Sequence, residues 1–277
     1  MLTFVDMSHT NSDQPFYIIE PKGPKVPFIL SVPHSGTAFP DELKDHYIDD
    51  MRDQPDDTDW FVHQLYDFAS EMGITTIHAK YSRWVIDLNR DPDSVPLYND
   101  GRLITGLTTS TDFLGNPIYK SDDLIPDEAE VNRRLETYYW PYYRKIEELL
   151  KSRREEFGNV VLWDAHSIRR VVKSIRKEPF PDMILGTNEG RSARPDIISL
   201  ALGSLRKGPY QVNYNDPFKG GHITRFFGRP EENVHGLQLE MNKVLYMDDE
   251  EVNYHPDRAN EVRKVLQPTF ERLLEVI

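Results

Sequence analysis

Two histidines that close short apolar runs, His34 and His166, are the residues of this sequence best suited to chemistry. A neutral imidazole is a good zinc ligand, and two of them with a carboxylate leave a fourth position for water, the pattern of catalytic zinc. The plainer role for either histidine alone is a strand cap or a satisfied buried hydrogen bond, and their long separation leaves both open. The chain has no cysteine, so thiolate nucleophiles, disulfides and Cys-type zinc fingers are excluded and any metal must be held by His, Asp or Glu. Asp56-Asp57-Thr58-Asp59 offers the missing carboxylate, in competition with capping of the helix expected after it. Glu240 sits between Leu239 and Met241, where burial raises its pKa towards the range of a general base unless an arginine pairs with it. Asn89-Arg90 can clamp a carboxylate in a planar, bidentate fashion, with Arg83 shortly before it; ordinary surface ion pairs are the alternative. No GxSxG elbow, P-loop or HExxH is present, and Thr37 stands where a zinc-peptidase pairing with His34 would want Glu.

These side chains must be positioned by the elements around them. Short apolar runs at 28–32, 74–81, 84–88, 160–163, 183–185, 210–214 and 237–239 have the length and the β-branched or aromatic content of buried strands. Between them, 127–157 places Val131, Leu135, Tyr138, Tyr142, Ile146 and Leu149 on one helical stripe, with Pro141 expected to kink it at about 3 kcal/mol unless packing compensates. Residues 57–72 and 196–205 read as shorter helices, and 256–277 as a closing helix interrupted at Pro268. Alternation of strands and helices predicts an α/β sheet covered on both faces, in which residues at carboxyl ends of strands converge. The segments 91–126 and 216–236 read as long loops of the functional kind. No repeat or linker divides the chain, so one domain over residues 1–277 is expected, with residues 1–15 flexible.

Composition narrows the partners. Of the residues, 38% are hydrophobic and 29% charged, enough apolar material for a sizeable core. A net charge of -13 gives no field to attract phosphate, which argues against nucleic acid and anionic membranes. The first 16 residues lack the basic start and apolar run of a signal peptide, and no stretch approaches a membrane span, so a soluble, cytoplasmic protein is expected.

Taken in order, His34-Ser35-Gly36, Asp57-Thr58-Asp59-Trp60, Val85-Ile86-Asp87-Leu88-Asn89-Arg90, Asp164-Ala165-His166-Ser167-Ile168-Arg169, Gly220-Gly221-His222-Ile223-Thr224-Arg225 and Leu237-Gln238-Leu239-Glu240 resemble the N-formylglutamate amidohydrolase (formylglutamate deformylase) family. Leu185-Gly186-Thr187-Asn188 and Tyr246-Met247-Asp248-Asp249 add to the likeness, which runs from about Pro27 to Asp249. The family is related to zinc carboxypeptidases and to the aspartoacylase/succinylglutamate desuccinylase group. The resemblance therefore implies a mixed, largely parallel central sheet with helices on both faces, of zinc-exopeptidase (phosphorylase/hydrolase-like) architecture. It also implies one divalent ion, zinc or else manganese, cobalt or iron, held by His34, Asp57 and His166, with Asp59 in reserve. Glu240 corresponds to the catalytic glutamate, Arg83 to the arginine that polarises the scissile carbonyl, and Asn89 with Arg90 to the pair gripping the substrate carboxylate. Arg169 or Arg225 is expected to hold the side-chain carboxylate. His222 departs from the Tyr expected after the two glycines, which bears on substrate preference. The activity implied is cleavage of N-formyl-L-glutamate to formate and glutamate, a late step of histidine degradation. The alternatives are another small anionic N-acyl amino acid as substrate, or a non-catalytic dicarboxylate-binding protein.

Overall fold

The computed structural model describes residues 13–93 and 106–277. Expectations for the first 15 residues and for the 91–126 loop fall in part on 1–12 and 94–105, outside the described residues.

Strand β1 (Phe16–Ile19) buries alternate residues, whereas β2 (Phe28–Val32) is buried on both faces. A short helix α1 (Asp49–Asp53) and a four-residue turn of helix α2 (Val62–Leu65) precede β3 (Thr75–Ala79). Helices α3 (Glu128–Arg134) and α4 (Trp140–Phe157) follow, then β4 (Val160–Ile168) and β5 (Met183–Gly186). Helix α5 (Pro195–Leu205), β6 (Val212–Tyr214), α6 (His222–Phe227), β7 (Val234–Asn242) and α7 (Pro256–Leu274) complete the order. Among the described residues the sheet has seven strands, in the order β1-β3-β2-β4-β7-β5-β6. β2 pairs in parallel with β3 and β4, β4 with β7, and β5 with β6, while β1–β3 and β5–β7 are antiparallel. The expected α/β class and mixed, largely parallel sheet are thus observed.

Strand alternation divides the core in two. Leu30, Trp163 and Leu239 face one layer with α2, α5 and α7. Ile29, Leu162 and Val234 face the other, with Tyr138, Tyr142 and Ile146 of the long helical run and Phe227 of α6. Helices therefore cover both faces.

Several elements differ from the sequence reading. The 84–88 run is a turn, not a strand. Its backbone needs are met piecemeal instead of by a ladder: the Val85 and Asp87 amides donate to the Ser82 and Leu107 carbonyls, while Tyr47 donates to the Trp84 carbonyl (3.1 Å) and Arg134 to that of Val85 (3.0 Å). The 57–72 segment breaks into α2 and a 3₁₀ turn over Asp67–Ser70, after Phe61 takes a left-handed conformation (φ 62°). The run expected at 127–157 is helical throughout, capped by Asp127, but a π turn over Leu135–Tyr139 absorbs Pro141. Pro268 does not interrupt α7; it is exposed, as is Lys264, whose carbonyl loses the N–H partner. Within 216–236, read as loop, α6 forms and β7 begins.

Candidate metal centre

The parallel strands β2, β4 and β7 end side by side, and the residues at or just beyond their carboxyl ends meet there. His34 lies two residues past β2, and His166 near the end of β4. The loop before α2 brings Asp59 to both. Asp59 Oδ2 is 3.1 Å from His166 Nδ1 and 3.7 Å from His34 Nδ1, and the candidate ligand atoms of all three residues lie within 4.8 Å of one another. Ligands at about 2.0–2.2 Å from a tetrahedral zinc stand roughly 3.3–3.6 Å apart, so the triad is close to a metal-ready arrangement. The structure places Asp59, not Asp57, in this cluster. Asp57 points away, where its carboxylate accepts hydrogen bonds from Trp84 Nε1 and the Phe113 amide, both at 2.9 Å, and burial pushes its pKa up to about 6.

The far edges of both imidazoles are held by carboxylates. His34 Nε2 is 2.7 Å from Asp87 Oδ1, and His166 Nε2 is 3.1 Å from Asp164 Oδ2. With Nε2 donating in each ring, Nδ1 is the atom turned to the cluster, the arrangement that orients metal-binding histidines, and on His166 a bound cation would take the place of the Nδ1 proton that faces Asp59. Burial, then Arg83, lowers the His34 pKa and keeps it neutral. Burial opposes charge on His166, but Asp164 and Asp59 outweigh it and hold its pKa well above the usual histidine range. Burial would raise Asp87 too, yet Arg83 and His34 hold it well below the carboxylate range. Three buried aspartates and Glu240 around two imidazoles form a pocket that calls for positive charge. The donor set, two nitrogens and an oxygen, fits a divalent ion.

Glu240 of β7 is the register partner of His166 on β4, so both project from the same face of the sheet. Burial pushes its carboxyl up to about 8, with His166 pulling down and Asp59 pushing up. Among the described residues no arginine forms an ion pair with it. Arg83 is half-buried beside the cluster, donating from Nη2 to Asp87 Oδ2 (2.6 Å) and stacking on Phe113 (4.9 Å).

Asn89 and Arg90 follow in the same turn. Asn89 Oδ1 accepts from the Ile223 amide (2.8 Å), and its Nδ2 lies 2.9 Å from His166 Nε2 and 3.4 Å from both Asp164 Oδ2 and Gln238 Oε1. Its amide thus ties α6 to Asp164, the carboxylate that holds His166. Gly221 has to be glycine here, since a Cβ would collide with that amide. Arg90 is half-buried, with Nη2 at 3.5 Å from Asp87 Oδ2. Arg225, on α6, donates to the Gly220 carbonyl (3.0 Å). Arg169 is drawn elsewhere: Asp56 takes its Nε (2.7 Å) and Nη2, and Glu251 its Nη1 (3.0 Å). Two carboxylates already neutralise it. His222 is half-buried against Tyr143 and Phe226, 3.7 Å from Asp91.

The sequence reading did not single out Asp87, Asp164 and Trp84. The aspartates were legible by the same signal that marked Glu240, a carboxylate inside an apolar run; the Trp84 contact had none.

The model of the N-formylglutamate amidohydrolase family matches residues 26–247. An N-formylglutamate deformylase of Pseudomonas aeruginosa is 41% identical over 253 residues, covering 90% of this chain and 93% of that protein. One from Pseudomonas putida is 39% identical, over the same shares. Among solved structures, an N-formylglutamate amidohydrolase from Ralstonia eutropha JMP134 superposes with a TM-score of 0.77 at 28% identity, covering 95% of this chain and 98% of that one. A match over most of its length, with relatives near two-fifths identity, makes this chain a member of the N-formylglutamate amidohydrolase family.

Proposed function

We propose that the chain is a metal-dependent amidohydrolase that cleaves N-formyl-L-glutamate to formate and L-glutamate, on one domain and in the cytoplasm, as a late step of histidine degradation. The observation that carries the reading is the His34–Asp59–His166 cluster with Glu240 in register beside it, in a chain whose relatives are N-formylglutamate deformylases. No helix among the described residues is long and apolar enough to cross a membrane.

His34, Asp59 and His166 would hold the ion. Zinc suits two imidazole nitrogens and a carboxylate, and manganese, cobalt or iron accept the same donors. When bound, such an ion supplies Lewis acidity towards the amide carbonyl and towards water. The protein's own groups do the rest. Arg90 binds the carboxylate next to the scissile amide and Arg225 the side-chain carboxylate; Arg169, already neutralised, is not assigned to the substrate. Asn89 fixes the turn that presents Arg90. Arg83 donates to the carbonyl oxygen as negative charge builds there, an interaction that typically contributes about 10²–10³ in rate. Glu240 takes a proton from the attacking water and delivers it to the amine nitrogen as the C–N bond breaks. Its raised pKa suits a group that must both accept and release a proton, and a nearby cation brings it back down.

Formate release by purified protein, with and without chelator, tests this reading beside Glu240→Gln. Chelation is expected to abolish turnover and added zinc to restore it, while Glu240→Gln loses about 10²–10⁴-fold. Full turnover in the chelated protein, or in the variant, would remove the metal or the proton carrier from the proposal.

A further inference from the structure

The backbone carbonyls on either side of Asn89 are each held by a buried tyrosine from one helical run. Tyr143 donates its hydroxyl to the Leu88 carbonyl (2.9 Å), and Tyr139 donates to that of Arg90 (2.8 Å). The two rings stack at 4.3 Å with 14° between their planes, as residues four apart on a helix can. Tyr139 ends the π turn, closed by the Trp140 amide on the Leu135 carbonyl, and both rings are buried. The neighbouring tyrosines face other partners: Tyr138 donates to Glu42 (2.5 Å), and Tyr142 lies 3.1 Å from Ser31 Oγ. π turns are frequent at functional sites because they re-aim side chains within a helix.

We infer that Tyr139 and Tyr143 are positioning residues for substrate binding: together they hold the turn that sets the Asn89 amide beside Asp164 and Gln238 and aims Arg90 at the substrate carboxylate. The inference rests on the reading above that Arg90 grips that carboxylate. Neither tyrosine touches substrate. Each hydroxyl acts through a peptide carbonyl, and the fixed turn saves the ordering that Arg90 would otherwise undergo on binding. Removing one hydroxyl leaves a carbonyl without its partner but keeps the ring and its stacking, so Phe is the informative substitution.

Steady-state kinetics of the metal-loaded enzyme on N-formylglutamate test the inference. Tyr139→Phe and Tyr143→Phe are each expected to raise KM about 3–10-fold with kcat within twofold, the scale of one hydrogen bond. Arg90→Ala serves as the reference for loss of the carboxylate grip. Hydrogen exchange measured by mass spectrometry is the second readout: amides of residues 88–91 exchange faster in both Phe variants, while those of β4 and β7 are unchanged. If Arg90→Ala raises KM and the Phe variants do not, the tyrosines are structural and the inference falls while the reading beneath it stands. A drop in Tm with KM and local exchange unchanged overturns it equally. If Arg90→Ala leaves KM unchanged, or the wild-type protein does not turn over N-formylglutamate, the underlying reading falls and takes the inference with it.

Discussion

Asp57 and Asp59 stand two residues apart in a loop and do different work. One carboxylate is fixed by an indole and a backbone amide, the other faces two imidazoles. Outside a helix or strand no periodicity tells which of two such residues faces inward, so the sequence could offer the acidic run as a ligand source but not choose within it. Arg169 was similarly illegible as a structural ion pair, because Asp56 and Glu251 reach it from distant parts of the chain. His34, His166 and Glu240 were readable because each interrupts or closes an apolar run at a strand end. Competition with a chromophoric chelator checks the assignment. Asp87→Asn is expected to weaken zinc binding about 10–100-fold by releasing the outer edge of His34. Asp59→Ala should weaken it further, and Asp57→Asn by less than tenfold. Should Asp57→Asn prove the most damaging of the three, the ligand assignment is wrong.

At the scale of elements, runs buried from both sides announced themselves: β2 and β4 begin where the sequence put them, and α5 and α7 follow their apolar stripes. Residues 84–88 carry the same apolar signature without being a strand, since burial and β-rich composition do not reveal what satisfies the backbone. Arg134 is part of that answer. It is fully buried, and Glu130 one turn earlier accepts from its Nε (2.7 Å) while also pairing with Arg133. The Arg133 hydrogen bond, against some burial and with help from Arg134, pulls the Glu130 pKa from 4.5 down to about 2. A depressed carboxyl pKa contributes stability above the unfolded value, lost as pH falls through the folded one. Glu130→Gln is therefore expected to cost about 1–3 kcal/mol at pH 7. In urea unfolding, its gap from wild type should close between about pH 4.5 and pH 2; a gap that stays constant over that range would separate this pair from acid sensitivity.

For the whole molecule, the alternation of strands and helices was enough to give the class and the two covered faces, while β1 went unread because its four residues adjoin a polar start. A net charge of -13 repels a dianionic substrate at long range, so affinity has to come from guanidinium groups at short range, the part proposed above for Arg90 and Arg225. Because the candidate ligands are residues 34, 59 and 166, a bound ion would also join distant parts of the fold. At a concentration 100 times its dissociation constant such an ion adds about 2.7 kcal/mol, or about 5–10 °C in Tm for a chain of this size. Scanning calorimetry with and without chelator should show that difference in the wild type and in Glu240→Gln, and not in Asp59→Ala. The nine-residue pairing of β4 with β7, from Val160↔Val234 to Ile168↔Asn242, fixes more than the architecture. A slip of one rung would turn Glu240 to the opposite side of the sheet from His166, removing the proposed proton carrier from the cluster without altering a single side chain in it. The spacing between Glu240 and His166 is thus set by the rungs below them, and loops around the mouth can vary in length without changing it.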